Sequence, residues 1–231
     1  MAKTNWNLES ILPIMQADGT SVREFVSTPT WRQHHWKRHV RFEDILAETH
    51  HRVYSRPWIM GRFYFDELIR QGLKSSDKVL DIGCGAGRLG IYLIPYLDTG
   101  CYCGIDSHLQ SLVAFAAYEM RLYDLFPKRP QLLLDDTFSF SRFGHTFDIA
   151  VDFYVSAHLG AERTKLAYRN LREVMHKGSR LFVLHAPPFP AEEMTSLGFF
   201  LERRSMVRYT LPAPPKADLK LDNDWHIWTA S

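Results

Sequence analysis

Three glycines alternate with other residues in the segment VLDIGCGAG, at positions 83, 85 and 87, directly after a short apolar run. Because Gly83, Gly85 and Gly87 carry no side chain, backbone N–H groups in this segment can approach a bound molecule closely. Asp81 stands two residues before the first of these glycines. A carboxylate attracts a cation and repels a phosphate. The spacing therefore predicts a binding site for a nucleotide-like ligand that carries positive charge.

The glycines also fit a second pattern, because Gly85, Gly87 and Gly90 match the G-x-G-x-x-G fingerprint of dinucleotide-binding proteins. The pyrophosphate of a dinucleotide is an anion that Asp81 would repel, whereas the ammonium group of S-adenosylmethionine would be attracted. With Asp81 included, the segment VLDIGCGAGRLG resembles the first motif of the class I S-adenosylmethionine-dependent methyltransferases. A nicotinamide-dependent oxidoreductase is the competing hypothesis, although the sequence lacks a clear Tyr-x-x-x-Lys dyad for hydride transfer.

The resemblance implies cofactor contacts after two further strands. Asp106 ends the run CYCGID, nineteen residues after Gly87, where the family places an acidic residue that accepts hydrogen bonds from the ribose hydroxyls. Asp136 follows LLLD and is implied to accept from the adenine amino group, with Asp135 as the alternative. The other residues assigned to the cofactor site are Cys84, interpreted as a small filler of the glycine turn, together with Ser107, Thr137, Phe138, Asp152 and Phe153.

The methyl acceptor is expected near the end of the strand in FDIAVDFYVSAHL, since the family's fourth motif places a residue there beside the sulfonium. The candidate general bases are Tyr154 and His158, in this segment, and His185, at the end of the next strand. Histidine has an unperturbed pKa of roughly 6.5, which suits proton transfer near neutral pH. For His158, a capping or packing role at the start of a helix is the alternative interpretation.

The elements that hold these residues alternate between strands and helices from Asp77 onward. Such alternation predicts right-handed crossovers and a mostly parallel sheet. The last two apolar runs lie close together and predict an antiparallel hairpin. The resemblance implies a doubly wound, Rossmann-like α/β sheet of seven strands within residues 72–231. Residues 1–71, rich in tryptophan and histidine, are predicted to form an N-terminal helical cap or lid.

Composition limits the partners that the chain can have. A chain of 231 residues with a formal net charge of +2 fits one domain with a small appendage, and the mild charge argues against nucleic acid. No apolar run approaches the roughly 18 residues of a membrane span, and MAKTNWNLES lacks the apolar core of a secretory signal. Three cysteines indicate reduced thiols and a cytoplasmic protein. Their spacing and that of the histidines do not predict a metal site.

The leading hypothesis is therefore a methyltransferase that uses S-adenosylmethionine to methylate a hydroxyl, carboxyl or amine of a small molecule. A protein or RNA acceptor is the first alternative. A catalytically silent regulatory subunit that keeps the methyltransferase fold is the second. A homodimer formed through the N-terminal residues stays open, because an aromatic-rich cap can close over a site or mediate dimerisation.

Overall fold

The computed structural model of the protein describes residues 14–16, 57–211 and 219–231. They contribute eight strands to one sheet, in the order β1-β4-β3-β2-β5-β6-β8-β7. The strands are β1 (Ile14–Gln16), β2 (Val79–Ile82), β3 (Tyr102–Asp106), β4 (Gln131–Leu134), β5 (Phe147–Phe153), β6 (Met175–Leu184), β7 (Phe199–Leu211) and β8 (Leu219–Ala230).

The helices lie between these strands. They are α1 (Pro57–Arg70), α2 (Gly90–Tyr96), α3 (Leu109–Ala114), α4 (Val155–Leu159), α5 (Ala161–Glu173) and α6 (Ala191–Ser196). Helix α3 continues through a π-helical turn, Phe115–Glu119, into a final α-helical turn that ends at Leu122. Short 3₁₀ turns span Phe126–Lys128 and Phe140–Phe143. Among these described helices, none is long and apolar enough to cross a membrane.

The chain divides into two compact units, the first of which comprises residues 1–76 and 84–136. In this unit β4 pairs in parallel with both β1 and β3, and Asp106 stands opposite Leu134. Parallel strands that are covered on both faces read as continuous apolar runs, which explains the fully buried interior of YCGID and QLLL. The parallel register brings the carboxyl ends of β3 and β4 side by side.

The second unit comprises residues 77–83 and 137–231. Strand β5 pairs in parallel with β2 and β6, and β8 joins β6 and β7 in antiparallel fashion. Large aromatic side chains fill this core: Trp225 and Trp228 of β8, Phe182 of β6 and Tyr168 of α5 are all nearly inaccessible to solvent. The hairpin therefore extends the hydrophobic core of the sheet, and its register decides which residues of β8 reach the ends of β5 and β6.

The Rossmann-like α/β class, the mostly parallel sheet and the C-terminal antiparallel hairpin are confirmed, with the seven predicted strands present as β2–β8. Strand β1 is an additional three-residue edge strand that no alternating pattern announced. Apart from β1 and α1, the N-terminal cap predicted for residues 1–71 lies outside the described residues. The boundary between residues 71 and 72 stays a prediction.

Candidate functional site

The glycine turn after β2 has a backbone conformation that favours glycine. Gly83, Gly85 and Gly87 have φ angles of +70°, +55° and +86°, in the left-handed region that residues with a side chain adopt only with strain. Within the first unit, the Gly85 N–H donates to Asp106 Oδ2 at 2.8 Å. The Cys84 N–H donates to the carbonyl of Ile105 at 3.1 Å. These bonds fix the turn against the end of β3.

Packing is a second reason why glycine occupies these positions, and the motif alone does not show it. A Cβ added at Gly87 or Gly90 would lie 2.3 or 2.4 Å from the Phe115 ring, far inside the roughly 3.5 Å of a carbon–carbon contact. In the second unit, a Cβ at Gly83 would lie 2.1 Å from a Val155 methyl group. Phe115 begins the π-helical turn, an irregularity that is frequent at functional sites. The glycines therefore make room for neighbouring side chains.

Cys84 is buried and packs against β3, where a Cβ at Gly104 would meet its sulfur at 2.9 Å. This contact agrees with the interpretation of Cys84 as a filler of the turn. Cys84, Cys101 and Cys103 are all free cysteines. Within the described ranges, no three histidine, cysteine or acidic side chains are grouped as metal ligands.

Carboxylates gather where β3 and β4 end. Asp106 accepts hydrogen bonds from the Gly85 and His108 N–H groups, each at 2.8 Å, with one oxygen for each donor. The backbone N–H of Asp135 donates to the Asp106 carbonyl at 3.0 Å, and the Asp135 side chain is buried whereas that of Asp136 is exposed. Ser107 is exposed beside them.

This set of acceptors fits S-adenosylmethionine. A carboxylate has about four lone-pair positions, so Asp106 can accept further bonds after its two backbone donors. The ribose hydroxyls and the adenine amino group of the cofactor are donors, and its methionine end carries an ammonium. Asp81, the third residue of β2, is 4% exposed, and a buried carboxylate lowers the energy of nearby positive charge. The carboxylates at the ends of β3 and β4, in the first unit, therefore offer acceptors of the kind that the cofactor's hydroxyl and amino groups need.

Asp152, which was predicted to contact the cofactor, is hydrogen-bonded within the second unit. Its side chain is buried and accepts hydrogen bonds from the Val155 and Ser156 N–H groups, at 2.9 and 3.1 Å, and from the Tyr168 hydroxyl at 2.8 Å. Burial raises the pKa of Asp152, and the bonds from Tyr168 and the backbone oppose that rise. Asp152 thus holds the beginning of α4 in place.

Three other residues that were predicted to contact the cofactor make contacts within the second unit. The Phe153 ring packs edge-on against Trp225, with centroids 5.1 Å apart. Phe138 is buried at a φ of +61°, and the Arg163 guanidinium lies 5.6 Å from its ring centroid. The Thr137 hydroxyl is exposed and lies 2.7 Å from the Ser139 hydroxyl.

Two of the three candidate bases come together. Tyr154 follows β5 and His185 follows β6, and their ring centroids are 5.1 Å apart. The Tyr154 hydroxyl donates to Asn223 Oδ1 on β8 at 3.0 Å. His158 lies exposed in the last turn of α4, where the described part of the chain gives its ring no hydrogen bond or ring contact.

Sequence analysis missed Asn223. Its buried side chain reaches Tyr154 only because the hairpin brings β8 next to β6. A signal did exist, since Asn223 stands two residues before Trp225 and four before Ile227, and alternate residues of a strand share one face. A polar residue on an apolar strand face indicates either a hydrogen-bonded core position or a site.

Comparison with known proteins shows what the chain is similar to. Residues 80–181 match the family model described as a methyltransferase domain. A comparison with curated protein sequences finds no significant match. Among solved structures, the chain is similar to the magnesium protoporphyrin IX methyltransferase of Synechocystis PCC 6803, solved with bound S-adenosylmethionine. The sequence identity is 17%, the TM-score is 0.56, and the match covers 91% of this chain and 95% of that one.

Two further structures have the same fold with different descriptions. A putative RNA methyltransferase from Pyrococcus horikoshii is 12% identical, with a TM-score of 0.53 and coverage of 74% of this chain and 81% of that one. The YcgJ protein of Bacillus subtilis is also 12% identical, with a TM-score of 0.53 and coverage of 74% and 98%. Identities this low show the fold alone. Residues 80–181 thus match the model of a methyltransferase domain, and the described part of the chain has a Rossmann-like fold similar to that of solved S-adenosylmethionine-dependent methyltransferases.

Proposed function

We propose that this protein uses S-adenosylmethionine to methylate a hydroxyl, carboxyl or amine of a small molecule. The observation that carries the proposal is the bond from the Gly85 N–H to Asp106 Oδ2, which fixes the glycine turn and the acidic strand end to each other. A preorganised carboxylate binds hydroxyl donors without the cost of ordering loose groups. The mild net charge of +2 favours a small acceptor over nucleic acid.

When bound, the cofactor supplies a methyl group activated by a sulfonium. Asp106 would accept hydrogen bonds from its ribose hydroxyls, and Asp136 or Asp135 from its adenine amino group. The buried Asp81 would favour the positive charge of the methionine end. The glycine turn contributes shape, because Gly85 lets the backbone approach the ligand closely.

The task that remains for the acceptor side is alignment and, for a neutral acceptor, removal of a proton. Tyr154 and His185 are the candidates for that task, because their rings are in contact at the ends of β5 and β6. His158 is a separate candidate on the exposed end of α4. A hydrogen bond fixes the Tyr154 hydroxyl, so this residue suits orientation, whereas His185 suits proton transfer.

Calorimetric titration tests the proposal directly. S-adenosylmethionine and S-adenosylhomocysteine should bind with micromolar affinity, and NAD should not bind. The Asp106→Ala variant should bind both sulfur compounds at least tenfold more weakly, because it loses charge-assisted hydrogen bonds. Asp98→Ala, at an exposed position of the same unit, serves as the matched control.

The outcomes separate the hypotheses. Unchanged affinity in Asp106→Ala would remove Asp106 from the cofactor site. If neither sulfur compound binds, a partner must complete the site, and the regulatory-subunit hypothesis replaces this one. Binding of NAD alone would favour the oxidoreductase.

A further inference from the structure

The β8 segment Asn223–Asp224 fixes both strained residues that end β5 and β6. Tyr154 and His185 have φ angles of +80° and +73°, which are unfavourable for residues with a Cβ. The Tyr154 hydroxyl donates to Asn223 Oδ1 at 3.0 Å, and the His185 N–H donates to the Asp224 carbonyl at 2.8 Å. Strain of this kind persists where the surroundings over-determine it, and it concentrates at ligand sites.

Asn223 has a hydrogen-bonding group that the fold does not use. The residue is 2% exposed, and its Nδ2 atom has no hydrogen-bond partner among the residues that the structure describes. A buried donor without a partner is costly, and a hydrogen bond to it would remove that cost. A ligand oxygen would supply the missing acceptor.

The carboxylates around the cluster are engaged in hydrogen bonds and an ion pair of the fold. Asp152 is the carboxylate at the end of β5, and its oxygens already accept three protein hydrogen bonds. Asp224 forms an ion pair with Arg204 at 2.7 Å and lies 3.0 Å from His226 Nε2. The acidic groups on the neighbouring segments are thus engaged, whereas Asn223 can offer donor hydrogens.

The surroundings are also aromatic. The Tyr154 and His185 rings are tilted against each other at 50°, and Phe153 packs on Trp225 beside them. Flat rings recognise flat ligands through offset or edge-on contact. An acceptor that is already an anion has no proton to lose, which agrees with a cluster that provides donors and rings rather than a free carboxylate base.

We propose that Tyr154, His185 and Asn223 recognise an aromatic oxyanion, an aryl carboxylate or a phenolate, with Asn223 Nδ2 donating to its oxygen. The inference rests on the proposed function, since it names the acceptor class of that reaction. Asn223 has two roles in it: its Oδ1 atom fixes Tyr154, and its Nδ2 atom contacts the ligand.

The test uses the full chain saturated with S-adenosylhomocysteine, titrated with four probes and followed by ligand-observed NMR. The probes are benzoate, 4-nitrophenolate at a pH where it is ionised, benzylamine, and cyclohexanecarboxylate. We expect one or both aromatic anions to bind. We expect no binding of benzylamine and at least fivefold weaker binding of the saturated carboxylate. The tighter of the two aromatic anions identifies a carboxylate or a phenolate as the acceptor group.

Three variants assign the binding to the cluster. Asn223→Asp keeps an oxygen for Tyr154 but removes the donor, so affinity for the aromatic anion should fall at least tenfold. Asn223→Ala should have a similar effect, and Tyr154→Phe, which keeps the ring, should have a smaller one. Arg203→Gln, at an exposed position of β7, lowers the net charge by one unit as Asn223→Asp does and controls for that change.

Retained affinity for S-adenosylhomocysteine shows that each variant is folded, and Tyr154→Phe and Asn223→Asp carry the test if Asn223→Ala is unstable. The inference is overturned if neither aromatic anion binds the loaded wild-type protein, or if the Asn223 variants bind it with unchanged affinity. Failure of S-adenosylhomocysteine itself to bind would instead overturn the proposed function, and the inference with it.

Discussion

Replacing Gly87 by alanine tests whether the glycine turn is required for packing as well as for ligand access. Two costs apply to Gly87→Ala. The φ angle of +86° places the new residue in the left-handed region, at about 1–2 kcal/mol. The new Cβ would lie 2.3 Å from two carbons of the Phe115 ring, so the ring must move by more than an ångström. Overpacking of this kind costs about 1–3 kcal/mol.

Two comparisons separate these costs. Gly100 has a φ of +81° with no atom within 4 Å of an added Cβ, so Gly100→Ala should show the backbone cost alone, about 1–2 kcal/mol. Combining Gly87→Ala with Phe115→Ala removes the ring that the new methyl group meets. In the Phe115→Ala background, Gly87→Ala should therefore cost no more than Gly100→Ala costs in the wild type.

Urea denaturation followed by circular dichroism measures all five proteins: the wild type, three single variants and the double variant. We expect Gly87→Ala to lower the free energy of unfolding by about 2–5 kcal/mol, and the cycle to show a coupling of about 1–3 kcal/mol. Additive single effects, or equal losses for Gly87→Ala and Gly100→Ala, would refute the contact with Phe115 as the reason for this glycine.

Three further predictions concern carboxyl groups. Asp152→Ala should lower the free energy of unfolding by about 2–4 kcal/mol, because the start of α4 and the buried Tyr168 hydroxyl both lose their hydrogen-bond acceptor. Asp152→Asn keeps an acceptor oxygen and should cost under about 1 kcal/mol. Equal losses for the two variants in denaturant titration would contradict this explanation. Burial raises the pKa of Glu119 from 4.5 to about 7. The free energy of unfolding of the wild type should therefore fall by about 3 kcal/mol relative to that of Glu119→Gln as pH rises from about 4.5 to 7. Parallel curves of stability against pH for the two proteins would argue against this burial effect. The hydrogen bond to Asp148 raises the pKa of His176. NMR titration should show this raised pKa in the wild type and its loss in Asp148→Asn. The stability that the pair contributes should be fully present below about pH 6.5 and should disappear as pH rises through the folded-state pKa.

The sequence predicted the parts of the site that depend on local patterns. The turn after β2 and the acidic end of β3 are specified within short segments, so Gly85 and Asp106 could be identified before the structure was known. The same holds for the alternation of strands and helices that defines the fold. Tyr154 and His185 followed from the expectation that residues at strand ends face a ligand.

The parts that sequence reasoning missed depend on register and on local hydrogen bonds. Nothing in the sequence sets Leu184 opposite Trp225, and that pairing is what brings Asn223 to the end of β5. Sequence analysis also did not foresee that the immediate start of α4 provides backbone donors to the Asp152 side chain. The packing of Phe115 into the glycine turn likewise needs three dimensions, because more than twenty residues separate the ring from Gly87.

The pairing of β2 with β5 has a consequence for how the protein is made. The Lys78 N–H donates to Asp148 Oδ2 across 70 residues of chain, and Val155 fills the space beside Gly83. Bacterial and eukaryotic ribosomes add about 5–20 residues per second, so the strand before the glycine turn waits several seconds for its neighbour. A nascent chain released before residue 147 would carry the whole glycine motif without β5. The glycine motif is therefore synthesised well before the strand that holds β2 in the sheet, and fragments that end before β5 would leave that edge of β2 unpaired.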